Sequence, residues 1–225
     1  MNIIQKIKWY PLAKDQYIKE ETPKSTIYLH HTAGSSNPYA TVRWWGETTE
    51  RVGTAFVIGG KPYRSSDSWA DGELIQAFSS KYWAYHLGVN YNNMPPGSVN
   101  SKILNSESIA IEICNFGYLN YHDGHFMTYV NTIVPESEVM EVNYKGRQYW
   151  HKYTDAQLET LRELLLYLTD KFEISREYKG IEMFRLDMRA FEHENGIWSH
   201  SSVRKDKTDI YPDPRIIAIL EQLND

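Results

Sequence analysis

The 225 residues carry 41% hydrophobic and 14% aromatic side chains, enough to bury a core in one domain. Lysine and arginine number 24 against 29 acids, and the net charge of −5 lacks the basic footprint of a nucleic-acid or anionic-membrane binder. A single cysteine, Cys114, excludes an internal disulfide framework and a cysteine-cluster metal site, and no run approaches the roughly 18 apolar residues of a membrane span.

Residues 1–24, polar and lysine-rich with Pro11 and Pro23, read as a leader that lies along the domain without forming its core. They hold no apolar signal region, so the expectation is a protein made in the cytoplasm without a signal peptide. Residues 25–225 then form one domain. Ser25 to Leu29 is β-branched and aromatic, and reads as a strand that runs into His30 and His31 and breaks at Ala33-Gly34. Side chains alternate along a strand, so His30 shares a face with Tyr28 and Thr26 while His31 follows Leu29 and Ile27. The two imidazoles cannot easily serve one metal together: one is a candidate ligand, the other a packing or supporting group. Asn37-Pro38 reads as an N-cap and first helical residue, followed by a short helix to Glu47 with Val42 and Trp45 inward. Thr54 to Ile58 reads as a buried strand ended by Gly59-Gly60, residues 62–71 as a polar loop, and Asp71-Gly72 as a hairpin-type turn into a strand over Glu73 to Phe78.

The strand from Ser108 to Cys114 has two unlike faces: Ile109, Ile111 and Ile113 on one, Ser108, Ala110, Glu112 and Cys114 on the other. A glutamate among small residues belongs either at a cavity or on a water-facing sheet edge, because burial without a partner costs several kcal/mol. Residues 118–151 carry no strong period and read as loop with some extended structure. Thr154 to Gln157 is a capping box opening the longest helix, with Leu158, Leu161, Leu165, Leu168 and Phe172 at helical spacing. Residues 176–198 are ambiguous apart from a short helix around Leu186 to Phe191, and Asp213-Pro214 caps a last helix carrying Ile216, Ile217, Leu220 and Leu223. The fold class that follows is α/β, a mixed central β-sheet flanked by helices, with no repeat and no linker.

Near the C-terminus His200 and Asp209 stand nine positions apart in one polar loop, with Lys207 beside them. Together with one strand-end histidine they form a set that suits zinc, and three protein ligands leave a fourth position for water.

Five segments appear in order: LHHTAG, AYHLG at 84–88, SIAIEICNFG at 108–117, YTDAQLETL, and HSSVRKDKTD. On these the chain resembles the zinc-dependent N-acetylmuramoyl-L-alanine amidases of the phage-lysozyme and peptidoglycan-recognition type, over nearly its whole length from Ile27 to Leu223. The resemblance implies a single amidase domain holding one zinc ion on His30, His200 and Asp209, with Glu112 as acid/base and Lys207 stabilising the oxyanion. It implies a substrate role for His86 near the groove, with Tyr85, Thr54 and Asn115 as further substrate-facing candidates and Trp83 and Trp45 as possible apolar walls, Trp45 more readily core. Relatives carry a tyrosine near the metal after a Val-Gly or Val-Ser pair, whereas Thr54 follows Val52-Gly53 here, which leaves the proton work to Glu112. The longer segment from Glu177 to Trp198 is expected to flank the groove.

The implied substrate is peptidoglycan or a muropeptide, cut by a monomer at the amide between N-acetylmuramic acid and L-alanine, with no nucleic-acid or membrane partner. An endolysin released at lysis is the expected setting, with a cytoplasmic wall-recycling amidase as the alternative. A non-catalytic wall receptor of the same fold and a zinc peptidase cutting within the stem peptide are the rival activities.

Overall fold

Parallel strands with apolar side chains on both faces need cover on both sides, and the central sheet obeys that constraint. The computed structural model describes residues 3–90, 92 and 94–224; residues 1 and 2 of the expected leader, residues 91 and 93 of the Asn-rich loop and residue 225 lie outside the described residues. The elements in order are α1 (Ile3–Lys6), β1 (Lys8–Trp9), β2 (Thr26–His31), α2 (Pro38–Glu47), β3 (Phe56–Ile58), β4 (Leu74–Gln76), α3 (Ser101–Ser106) and β5 (Ser108–Ile113). There follow β6 (Tyr118–His122), β7 (His125–Met127), β8 (Ile133–Val134), β9 (Val139–Tyr144), β10 (Arg147–His151), α4 (Asp155–Phe172), α5 (Met188–Phe191), β11 (Gly196–Ser199) and α6 (Pro214–Glu221).

The fold is mixed α/β. Six strands form the central sheet in the order β1-β4-β3-β5-β2-β11, with β3 and β4 antiparallel and the other pairs parallel. Every residue of β2, β5 and β11 is buried, and Ile27, Leu29, Ile109, Ile111 and Ile113 carry the core between sheet and helices. Asn37 caps α2 by accepting from the amides of Tyr39 and Ala40, and Val42 and Trp45 face inward. In the capping box of α4 the Thr154 hydroxyl accepts from the Gln157 amide at 3.1 Å and the Gln157 side chain accepts from the Thr154 amide at 3.1 Å. Gln157 also donates to the Cys114 carbonyl at 2.7 Å, which ties the start of α4 to the end of β5. The Asp71-Gly72 turn is tightly seated: Gly72 has φ +74, and a Cβ there would lie 2.5 Å from the Ala156 carbonyl oxygen.

Three segments depart from the expectation. The leader is part of the body: Ile3 and Leu12 are buried in the core, β1 is the edge strand of the central sheet, and Lys6 pairs with Glu163 of α4 at 2.7 Å. Residues 118–151 are not a loop but a second, antiparallel sheet in the order β8-β7-β6-β10-β9. Its hairpins turn at Asp123-Gly124 and Lys145-Gly146, where both residues of each pair have positive φ, the geometry of two-residue hairpin loops. Its strands are short and half exposed, so their alternation is too brief to stand out from loop sequence. The segment from Glu177 to Trp198 is more than a groove flank: it runs through a 3₁₀ turn at Ile181–Phe184 and α5 into β11, which closes the central sheet beside β2, while Leu186 and Phe191 line a surface cleft. Met183, Phe184, Ala190 and Phe191 are buried in the core.

Trp150 ties the second sheet to the segment just after Asp209. Its indole is fully buried, donates to the Val142 carbonyl at 2.8 Å and stacks on Tyr211 at 4.8 Å between ring centroids. Trp150→Ala is expected to destabilise the protein by about 3–5 kcal/mol, read as a lowered urea midpoint. Glu138, just before β9, is held down to about 2 by the His151 imidazole 3.9 Å away and, against a burial penalty, by the Lys61 ammonium at 2.9 Å. A carboxylate depressed in the folded state stabilises it above the unfolded pKa, and that contribution disappears as pH falls from about 4.5 to about 2. Urea midpoints should therefore fall less steeply over this window in Glu138→Gln than in the parent protein.

Candidate metal centre and active site

The register of the parallel strands builds the site at their carboxyl ends. His30 pairs with Glu112 on β5, and Glu112 pairs with Val57 on β3, so these side chains emerge in one row. Ser199 pairs with Leu29, which delivers His200, the next residue, beside His30. The chain then makes a 3₁₀ turn over His200–Ser202 and returns to Asp209. That loop is anchored from all sides. The hydroxyls of Ser199 and Ser202 both donate to the Met183 carbonyl, at 2.5 and 2.6 Å, Ser201 donates to the Lys207 carbonyl at 3.0 Å, and the Lys145 ammonium donates to the carbonyls of Lys205 and Lys207. Thus the 177–198 segment and the second sheet, through Met183 and Lys145, hold the loop in place.

Three ligand atoms converge. His30 Nδ1 lies 3.0 Å from His200 Nδ1 and 3.2 Å from Asp209 Oδ2, and His200 Nδ1 lies 2.8 Å from Asp209 Oδ2. All three residues are buried, and they are the group among the described residues that could hold a metal ion. The surrounding hydrogen bonds determine which nitrogens carry protons. His200 Nε2 faces the Leu87 carbonyl at 2.9 Å, an acceptor only, so its proton is on Nε2 and Nδ1 presents a lone pair. His30 Nε2 lies 3.1 Å from His86 Nδ1, His86 Nε2 lies 2.8 Å from Ser108 Oγ, and Ser108 donates to the Asn105 carbonyl at 3.1 Å. Read from the fixed acceptor backwards, each link donates to the next, which places a proton on His30 Nε2 and bares Nδ1. Burial, reinforced by His200, lowers His30 to about 4, so it is neutral at pH 7. Two bare imidazole nitrogens and a carboxylate oxygen pointing at one another repel unless a cation lies among them. Tetrahedral ligands about 2.0–2.1 Å from an ion lie roughly 3.3 Å apart, close to the observed spacing. Burial pushes Asp209 up, but His200 and His30 outweigh it and hold this carboxylate ionised, well below its ordinary range.

Glu112 is the opposite case. Burial and the neighbouring Asp209 push it well above the ordinary carboxylate range, with only the Lys207 charge pulling it down. Its side chain is 8% exposed and lines a surface cavity of about 660 Å³. Lys207 is half-buried and makes no ion pair among the described residues, yet its charge is felt at both Glu112 and His30. His31 lies on the other face: its Nδ1 meets the Tyr153 hydroxyl at 2.9 Å.

The expected substrate-facing residues are mostly placed otherwise. His86 is buried behind His30, outside the lining of the Glu112 cavity, with its backbone amide bound to Asn105 Oδ1 at 3.0 Å. The Thr54 hydroxyl is spent on the Phe56 carbonyl at 2.9 Å inside the core. Asn115 braces the ends of β2 and β10: its amide donates to the His151 carbonyl at 2.9 Å and accepts from Gly117 at 2.8 Å. Tyr85 is exposed but stacks edge-on to buried Trp83, outside the lining of the Glu112 cavity, whereas Trp45 belongs to the core and also lines that cavity. Sequence reasoning missed Ser108 and Asn105 as supports for His86, although Ser108 shares the Glu112 face by simple alternation. It also missed Trp44 and Tyr129, which line the cavity.

A strand-end set of two imidazoles and a carboxylate, with an ionisable glutamate beside it at a cavity, has the composition of a mononuclear metal-dependent hydrolase site. The sequence profile of the family described as N-acetylmuramoyl-L-alanine amidase matches residues 20–214, and the chain belongs to that family. Among solved structures, PlyL aligns over 96% of each chain at 14% identity with a TM-score of 0.53. The PlyG catalytic domain aligns over 97% of this chain and 93% of its own, at 14% and 0.54. AMPDH3 from Pseudomonas aeruginosa aligns over 96% of this chain and 63% of its own, at 16% and 0.50. At these identities the likenesses bear on the fold. No curated protein matches the sequence. No helix among the described residues is long and apolar enough to cross a membrane.

If His86 sets the tautomer of His30, His86→Ala should weaken zinc binding by about 10-fold to 100-fold. Titration against a competing chromophoric chelator reads this directly, with circular dichroism confirming the fold.

Proposed function

We propose that this chain is a zinc-dependent N-acetylmuramoyl-L-alanine amidase that hydrolyses the amide joining the lactyl group of N-acetylmuramic acid to L-alanine in peptidoglycan. The observation that carries the reading is the convergence of His30 Nδ1, His200 Nδ1 and Asp209 Oδ2 in a row with Glu112. Zinc, when held by these three, lowers the pKa of water from about 15.7 to about 7 and polarises a carbonyl. The remaining work falls to the protein's own groups. Glu112, whose affinity for a proton burial raises above that of an ordinary carboxylate, accepts a proton from the attacking water and returns it to the departing amine nitrogen. Lys207 supplies a positive charge for the oxygen that becomes negative as the carbonyl carbon turns tetrahedral, an effect worth about 3–4 kcal/mol for a well-placed donor. The Asn105–Ser108–His86 chain keeps His30 in one tautomer and orientation. The setting we propose is that of an endolysin acting on the intact wall, supported by the placement of Glu112 in a cavity at the surface rather than in a closed chamber.

Two substitutions separate metal binding from proton transfer. His200→Ala should lose zinc and activity together. Glu112→Gln keeps shape and should retain about one zinc per chain while turnover on sacculi falls by about 10²-fold to 10⁴-fold. In the parent enzyme activity should rise with pH through the elevated Glu112 pKa, because the base must be ionised, and this acidic limb should vanish in the residual activity of Glu112→Gln. Hydrolysis of sacculi undiminished by a chelator, or release of cut stem peptides without free muramoyl groups, would refute the assignment.

A further inference from the structure

The cavity that exposes Glu112 has an aromatic rim. Trp44 on α2 is 56% exposed and Tyr129 on the β7–β8 turn is 57% exposed, and both line it. Their positions follow from local geometry. Trp45 is buried in the core, and its neighbour Trp44, about 100° further round the helix, is thereby turned outward. Tyr129 is presented by a turn closed by three hydrogen bonds: Thr128 amide to Thr132 carbonyl at 2.9 Å, Asn131 amide to Thr128 carbonyl at 2.9 Å, and Thr132 amide to Thr128 Oγ1 at 3.0 Å. Two large aromatic side chains kept in water, one on a helix and one on a turn of the second sheet, and bordering one cavity beside an ionisable carboxylate mark a binding rim rather than scattered surface.

The chemistry of the lining narrows the ligand. The lining also includes the hydroxyl residues Thr32, Ser35 and Thr41, and among the described residues Glu112 is its one charged member. No cation lines it to receive the carboxylates of a stem peptide. Arg204 and Lys205 instead line a separate cleft of about 460 Å³. Flat aromatic faces with hydroxyl partners and no positive charge suit the C–H faces and hydroxyls of an uncharged sugar ring. We propose that Trp44 and Tyr129 form a clamp for the glycan side of the scissile amide, and that the second sheet, by carrying Tyr129, is part of the substrate-binding surface. The inference rests on the amidase reading for the identity of the polymer.

Calorimetric titration tests it without hydrolysis, using uncharged oligomers of N-acetylglucosamine, which lack the lactyl carboxylate that peptide-free N-acetylmuramic acid would bare, and, separately, the free stem peptide. The parent protein should bind the glycan. Trp44→Ala and Tyr129→Ala should each weaken that binding by about threefold to tenfold, as expected for loss of one aromatic contact. Trp44→Phe and Tyr129→Phe should restore most of it. Trp9→Ala, which removes an equally exposed tryptophan on the edge strand β1, should bind as the parent does. Zinc content should be the same in all five variants. Glycan binding that is absent in the parent or indifferent to both alanine variants overturns the proposal, as does weakening of stem-peptide binding alone. Because binding is read apart from cleavage, sacculi that are hydrolysed by a protein showing no such glycan binding would refute the clamp and leave the amidase reading intact. Glycan bound as predicted by a protein that cuts no wall would do the reverse.

Discussion

Three acceptor atoms held 2.8–3.2 Å apart without a proton among them are the constraint on which the rest of this structure depends. Left alone they repel, and the burial that surrounds them removes the water that would otherwise screen the repulsion. The fold therefore has to supply rigidity. It does so by mounting His30 on an interior strand of a parallel sheet and placing His200 just beyond the neighbouring strand. Each imidazole is then fixed through its second nitrogen, one by a main-chain carbonyl and the other by a relay of side chains ending on a carbonyl. A site held in this way is preorganised for a cation.

The same burial sorts the two carboxylates by role. Asp209 lies against two imidazoles and is held ionised; Glu112, paired in register with His30 and Val57, has no such partner and is pushed toward protonation by burial and by Asp209 itself. The imidazoles beside one carboxylate and not the other thus set the two on opposite sides of the ordinary range. The Lys207 charge opposes the upward push on Glu112.

The parts that look peripheral are anchored to this centre. Met183, in the segment expected to flank the groove, accepts hydrogen bonds from the serines on either side of His200 and Ser201. The second sheet grips the same loop through Lys145, and through Tyr144, whose hydroxyl lies 2.7 Å from Ser201 Oγ. Trp150 and Tyr211 stack between this sheet and the residues just after Asp209. Removing either appendage would leave His30 on its central strand in place and release the loop that carries His200 and Asp209.

Patterns that are local in the chain were legible in the sequence alone. The two unlike faces of the Glu112 strand, the capped helices starting at Pro38, Asp155 and Pro214, and the opposite facing of the adjacent histidines all follow from periods of 2 or 3.6 residues and short capping motifs. The ordered motifs also carried the family and the candidate ligands His30, His200 and Asp209. What depends on neighbours across strands was decided by the tertiary structure. Such neighbours include His86 behind His30, the Met183 carbonyl under the His200 turn, the diversion of Thr54 and Asn115 to main-chain carbonyls, and the pairing of Trp44 with Tyr129 at one cavity. The physical reason is that a side chain's period along its own strand or helix sets the face it occupies. Which group stands opposite is set by sheet register and by chain segments brought together over 50 to 180 positions, where no local periodicity carries the information.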